Sequence, residues 1–151
     1  TRTIASGVYA EEIRKRCPKV TVIQQVSAEL AGAIEEGASE EELDRLVKRA
    51  IDGVLAQSEG EPPHRAILGC THFPLVEHLF RRHLPPATRI LSQPDVVADS
   101  LEDYLSRHRQ YTEGTGIFPN PTLFTTGEPD AITRRARIFS QEPLAFARIE
   151  I

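Results

Sequence analysis

The chain has 151 residues and a net charge of -4, with 18 Lys and Arg against 22 Asp and Glu. That length suffices for one ordinary domain with its own core, or for two pieces of a larger two-domain protein. No basic block stands out, which argues against nucleic acid or an anionic membrane as partner, and no apolar run approaches the ~20 residues of a membrane span. The start, Thr1-Arg2-Thr3-Ile4-Ala5-Ser6, carries no signal-peptide pattern. Two cysteines make no disulfide framework, and the α/β character suggests a reducing, cytoplasmic compartment. The chain lacks Met, including an initiator, so a processed chain or a fragment is expected, with a fragment favoured.

Ile4, Val8 and Ile13, with the charged end Glu11 to Arg16, predict a helix from about Thr3 to Arg16, which Thr3 or Ser6 could cap. Cys17-Pro18-Lys19 is a turn, because Pro stops the helix. Val20-Thr21-Val22-Ile23-Gln24 is β-branched and reads as a strand. Cys17 then lies at the edge of the sheet remote from chemistry and is expected to be inert. Cys17, Cys70 and His72 lack zinc-ligand spacing, so no metal is expected.

Ser27 to Glu36 reads as a helix closed by Gly37. Ser39-Glu40-Glu41-Glu42 is a cap followed by acidic first-turn residues. Leu43, Leu46, Val47, Ala50, Ile51, Val54 and Leu55 form the apolar stripe of the helix it opens. Residues 58–64 are a polar loop in which His64 is expected to be exposed.

Ile67-Leu68-Gly69-Cys70-Thr71-His72-Phe73-Pro74-Leu75-Val76 is the informative stretch. Ala66, Ile67 and Leu68 read as a short buried parallel strand. Gly69 would let the backbone approach something closely. Pro74 suits the first turn of a helix, with Leu75, Val76, Leu79, Phe80 and Leu84 at helical spacing over 74–84. Cys70 is thereby placed at the carboxyl end of a strand, where open α/β sheets bind ligands, and near a helix amino terminus that favours a thiolate. His72 is two residues on and can assist proton transfer. His78 and His83 are expected on the solvated side.

Thr88 to Ser92 is a short strand, and Asp95 opens a helix with Val97, Leu101, Tyr104 and Leu105 facing in, ending near His108. Residues 110–121 hold Gly114, Gly116 and Pro119 and read as a loop or a crossing between domains. A strand over 122–127 leads into a helix over 130–139, with Arg134, Arg135 and Arg137 outside and Ile138 and Phe139 inside. Residues 145–151 alternate as a final strand with one buried face. The expected fold class is α/β, an open, mostly parallel sheet with flanking helices.

The stretch Leu68 to Leu75 resembles the second cysteine motif of the glutamate racemases in the aspartate/glutamate racemase family, L-G-C-T-H-[YF]-P-L. Thr3, Ser6 and Tyr9 are similar to its T-I-x-S-x-x-Y segment, and the close of the chain resembles the family's carboxyl terminus. The resemblance implies cofactor-independent inversion of glutamate at its α-carbon by two thiols, one removing the proton and the opposite one delivering another. It implies D-glutamate for peptidoglycan as the product and an amino-acid substrate. It makes Cys70 and His72 catalytic, and Thr71 and Thr3 substrate-binding. It further implies a fold of two lobes across a cleft: residues 1–90 would form most of the second lobe, and residues 91–151 the return segment packing on a first lobe outside this chain. A homodimer is compatible with it.

Two departures loosen the assignment to glutamate. Ser27 to Gly32 stands where the family usually has Cys-Pro-x-Leu-Val-Pro, and Ser92-Gln93-Pro94-Asp95 only partly matches its Asp-Ser-Gly turn. The family's other cysteine motif, A-C-N-T, does not occur, so the chain alone is expected to be inactive. The alternatives are a relative acting on aspartate or another acidic amino acid, a Cys-dependent hydrolase or transferase using Cys70 and His72, and a non-catalytic fragment that binds a partner or a carboxylate. Pyridoxal phosphate chemistry is disfavoured, because Lys15, Lys19 and Lys48 all stand at charged helix or turn positions.

Overall fold

The computed structural model describes residues 2–112, 123–140 and 144–150, with side chains from residue 4 onward. The chain forms two compact units, residues 1–93 and 94–151. Each contains a two-stranded parallel sheet, the first from β1 (Arg65–Leu68) and β2 (Arg89–Ser92), the second from β3 (Leu123–Thr125) and β4 (Phe146–Arg148). Helices join the strands, as parallel pairing requires, and the α/β class holds.

In the first unit the expected helix over 3–16 is two helices, α1 (Arg2–Ser6) and α2 (Val8–Arg16). Gly7 divides them at φ 67°, a left-handed backbone that glycine adopts without strain. Residues 20–24 carry strand-forming side chains but form no strand among the described residues. β-Branched residues favour a pleated ladder, and no described backbone bond supplies one here.

α3 (Ala28–Glu36) closes on Gly37 at φ 71°, whose N–H reaches back to the Ala33 and Ile34 carbonyls. α4 (Glu40–Gln57) starts at Ser39, whose hydroxyl accepts from the Glu42 N–H at 3.3 Å. The apolar faces of α3 and α4 supply Leu30, Ile34, Leu46, Val47 and Ile51 to the core. Ala10 of α2 and Leu68, Val76, Leu79, Phe80 and Leu84 complete it. Thr88 is the buried polar residue among them; its hydroxyl donates to the Pro63 carbonyl at 2.7 Å.

β1 leads through a 3₁₀ turn at Phe73–Val76 into α5 (Glu77–His83) and back to β2, in the register Arg65↔Arg89 through Leu68↔Ser92. β1 is not buried on both faces as expected. Ile67 and its partner Leu91 stay 43% and 41% exposed, because this sheet has two strands and its described packing covers one face. His64 is exposed, as read. His83 departs from its expected solvated place: it is only 19% exposed and meets Asp44 Oδ1 at 2.9 Å, tying α5 to α4.

In the second unit, α6 (Gln93–Arg107) buries no residue. Val97 and Leu101, expected to face in, are 55% and 54% exposed, and Tyr104 is exposed as well. The apolar stripe is present, but no described element of this unit covers it. Tyr104 instead stacks on His108 at 4.0 Å between ring centres. Residues 113–121 of the expected loop lie outside the described residues. α7 (Pro129–Ala136) is shorter than the expected 130–139, and Phe139, past its end, is 51% exposed rather than inside. Arg134, Arg135 and Arg137 are exposed, as read. β4 has a half-buried Phe146, but Ile149 beyond it is 43% exposed, so the expected buried face is only partly realised.

Candidate active site

Cys70 follows β1 by two residues, at the carboxyl end of a parallel strand. It is a half-buried free thiol, whereas Cys17 is free and exposed. Gly69 makes the connection, and a Cβ there would meet nothing within 4 Å, so no described part of the chain makes the close approach expected of it.

The thiol lies farther from a helix amino terminus than expected. A 3₁₀ turn intervenes, with the Phe73 N–H on the Cys70 carbonyl at 3.2 Å, and α5 begins only at Glu77. A helix field fades within its first turn, so α5 contributes little at Cys70. The polar side chains around the thiol matter more.

His72 joins them. Its Nε2 lies 2.8 Å from Glu35 Oε1, at the end of α3. Its Nδ1 lies 3.7 Å from Cys70 Sγ and 3.4 Å from Thr71 Oγ1. A carboxylate only accepts hydrogen bonds, so Glu35 places a proton on Nε2. In the neutral ring Nδ1 then carries the lone pair and faces the thiol. The order Glu35, His72, Cys70 is that of an orienting carboxylate, an imidazole and a thiol. His72 is 16% exposed, so the imidazole is shielded while Glu35 stays in reach of solvent.

Thus the structure brings Cys70, Thr71 and His72 together, with Thr71 exposed. Thr3 lies in α1, and its side chain is outside the described residues. Glu35 was not foreseen from the sequence, where it is one of two consecutive glutamates ending an amphipathic helix. Among the described residues, no group of three or more His, Cys, Asp or Glu is arranged to hold a metal, and no helix is long and apolar enough to cross a membrane.

No family model matches the chain. Among curated proteins, it is 40% identical over 144 residues to a glutamate racemase of Phenylobacterium zucineum, covering 95% of this chain and 50% of that protein. A glutamate racemase of Caulobacter sp. shows the same identity and coverage. Among solved structures, the chain matches a glutamate racemase of Francisella tularensis in complex with D-glutamate, with a TM-score of 0.80 and 21% identity over 99% of this chain and 54% of that one. A Bacillus anthracis glutamate racemase gives 0.76 at 24% identity, over the same shares of the two chains. The fold is that of these enzymes, and the chain spans about half the length of the curated relatives it matches. Over 95% of its length, this chain is a homologue of the glutamate racemases.

Proposed function

We propose that this chain supplies one catalytic face of a cofactor-independent glutamate racemase. What carries the reading is the Glu35–His72–Cys70 relay at a strand end, in a chain homologous to glutamate racemases. A free thiol has a pKa of about 8.5 and is only a few per cent thiolate at neutral pH. His72 takes the thiol proton, and Glu35 stabilises the imidazolium that results. The Cys70 thiolate then removes the α-proton from one face of the amino acid, and a thiol on the opposite face returns a proton to the carbanion. The two transfers balance without an electron acceptor. In the reverse direction Cys70 is the donor.

Thr71 binds the substrate carboxylate through its hydroxyl or N–H, and Thr3 is a second substrate-side group. The opposite thiol belongs to a first lobe outside this chain, on which residues 91–151 pack as a return segment, with residues 1–90 forming most of the second lobe. The uncovered stripe of α6 is consistent with such packing. The product, D-glutamate, serves peptidoglycan synthesis in the cytoplasm. In the full-length gene product carrying this chain, L-glutamate should yield D-glutamate by chiral chromatography without added cofactor. Cys70→Ala should abolish that conversion, and undiminished conversion would remove Cys70 from the chemistry.

One observation favours a second reading, a thiol hydrolase: Glu35 supplies the orienting carboxylate that such a Cys-His pair needs. An acyl-enzyme on Cys70, seen by mass spectrometry after exposure to activated esters with turnover, would support it over racemization.

A further inference from the structure

Two groups converge on one nitrogen. His72 Nδ1 has Thr71 Oγ1 at 3.4 Å and Cys70 Sγ at 3.7 Å, while Nε2 is committed to Glu35 at 2.8 Å. An imidazole nitrogen offers one lone pair when neutral and one proton when the ring is charged. Either way, Nδ1 can make only one good hydrogen bond. If the Thr71 hydroxyl takes it, the thiol is uncoupled from the base; if Cys70 takes it, the thiol is coupled to it.

We propose that Thr71 is a positioning residue that competes with Cys70 for His72 Nδ1 and so holds the thiol back until the hydroxyl is drawn away. Glu35 makes the competition sharp, because it fixes the ring with Nδ1 toward both rivals. Thr71 is exposed, so its hydroxyl is the group an arriving anion meets first. A carboxylate accepting the Thr71 O–H releases Nδ1 to the thiol, which ties activation of Cys70 to occupancy of the site. This last clause rests on the proposed role of Thr71 in binding a substrate carboxylate; the competition itself requires no substrate.

The test uses the full-length gene product carrying this chain, without ligand. Alkylation of Cys70 by iodoacetamide is followed by peptide mass spectrometry at neutral pH, with exposed Cys17 as the internal reference. Val is nearly isosteric with Thr, so Thr71→Val removes the hydroxyl without uncovering the thiol. The expected result is alkylation of Cys70 roughly two- to fivefold faster than wild type, the scale of losing one modest hydrogen bond. Thr71→Ser should return the wild-type rate, and the gain from Thr71→Val should vanish in a His72→Ala background. A Thr71→Val rate equal to or below wild type, a serine variant as fast as the valine one, or a gain that persists without His72 would each overturn the proposal. Failure of glutamate racemization would leave this readout unaffected, so the two readings fail separately.

Discussion

At the scale of single residues, the proposed chemistry concentrates in Cys70, Thr71, His72 and Glu35. A general acid–base group at the reacting atom contributes about 10²- to 10⁴-fold, so Cys70→Ser should reduce racemization by at least the lower bound. Glu35 acts through His72 and is 41% exposed, so its charge is partly shared with water. Glu35→Gln should therefore slow turnover on the order of tenfold, the effect of one charge-assisted hydrogen bond near the surface. A steady-state assay would show the loss in kcat, and a loss confined to KM would count against the relay. The thiol, hydroxyl and imidazole were legible in the sequence because eight consecutive residues carry them. Glu35 was not, because its meaning lies in the packing of α3 beside the residues that follow β1. Nothing local separates Glu35 from Glu36.

At the scale of elements, the residue types alone settle the caps at Ser39 and Gly37, whereas Ser6 lies inside α1 and Gly7, not Thr3 or Ser6, stands before α2. Ser39 caps α4 and Gly37 closes α3 as the residue types dictate. Ser39→Ala should lower stability by about 1 kcal/mol. Gly37→Ala should cost roughly 1–2 kcal/mol, because an alanine must hold a left-handed φ. Urea unfolding would measure both, and a neutral Gly37→Ala would contradict the cap. Readings failed where long-range partners decide. Val20 to Gln24 forms no strand because strand propensity needs a ladder to act on, and Gly7 splits a helix that apolar spacing alone would continue.

The α4–α5 clamp is another case that periodicity cannot reveal. The His83 hydrogen bond, together with Arg82, holds the Asp44 carboxyl below its ordinary value. A depressed carboxyl contributes stability above its unfolded pKa and loses it as pH falls through the folded one. Asp44→Asn should therefore lower the melting temperature near neutral pH. The gap to wild type should close in acid, below the ordinary carboxylate range. A gap that stays constant with pH would sink the electrostatic account.

At the scale of the whole molecule, two facts belong together. The chain spans about half the length of its curated relatives, and it leaves Val97, Leu101, Phe124 and Ile149 exposed. The α/β class and the parallel pairing were legible from short apolar runs alternating with helical stripes. The burial of α6 was misjudged, since a stripe predicts that a helix wants a partner and says nothing of where the partner is. A two-thiol inversion needs an opposing donor, so the chain assayed alone should form no D-glutamate.

The proposed function requires Cys70 to exchange a proton with the α-carbon of glutamate. The direct measurement is loss of the α-proton signal of glutamate in deuterated water, followed by proton NMR, with the full-length gene product carrying this chain and its Cys70→Ala variant. Steady deuterium incorporation together with inversion is expected for the wild type, both lost in Cys70→Ala. Exchange and inversion that continue at the wild-type rate without the Cys70 thiol would contradict the proposed function.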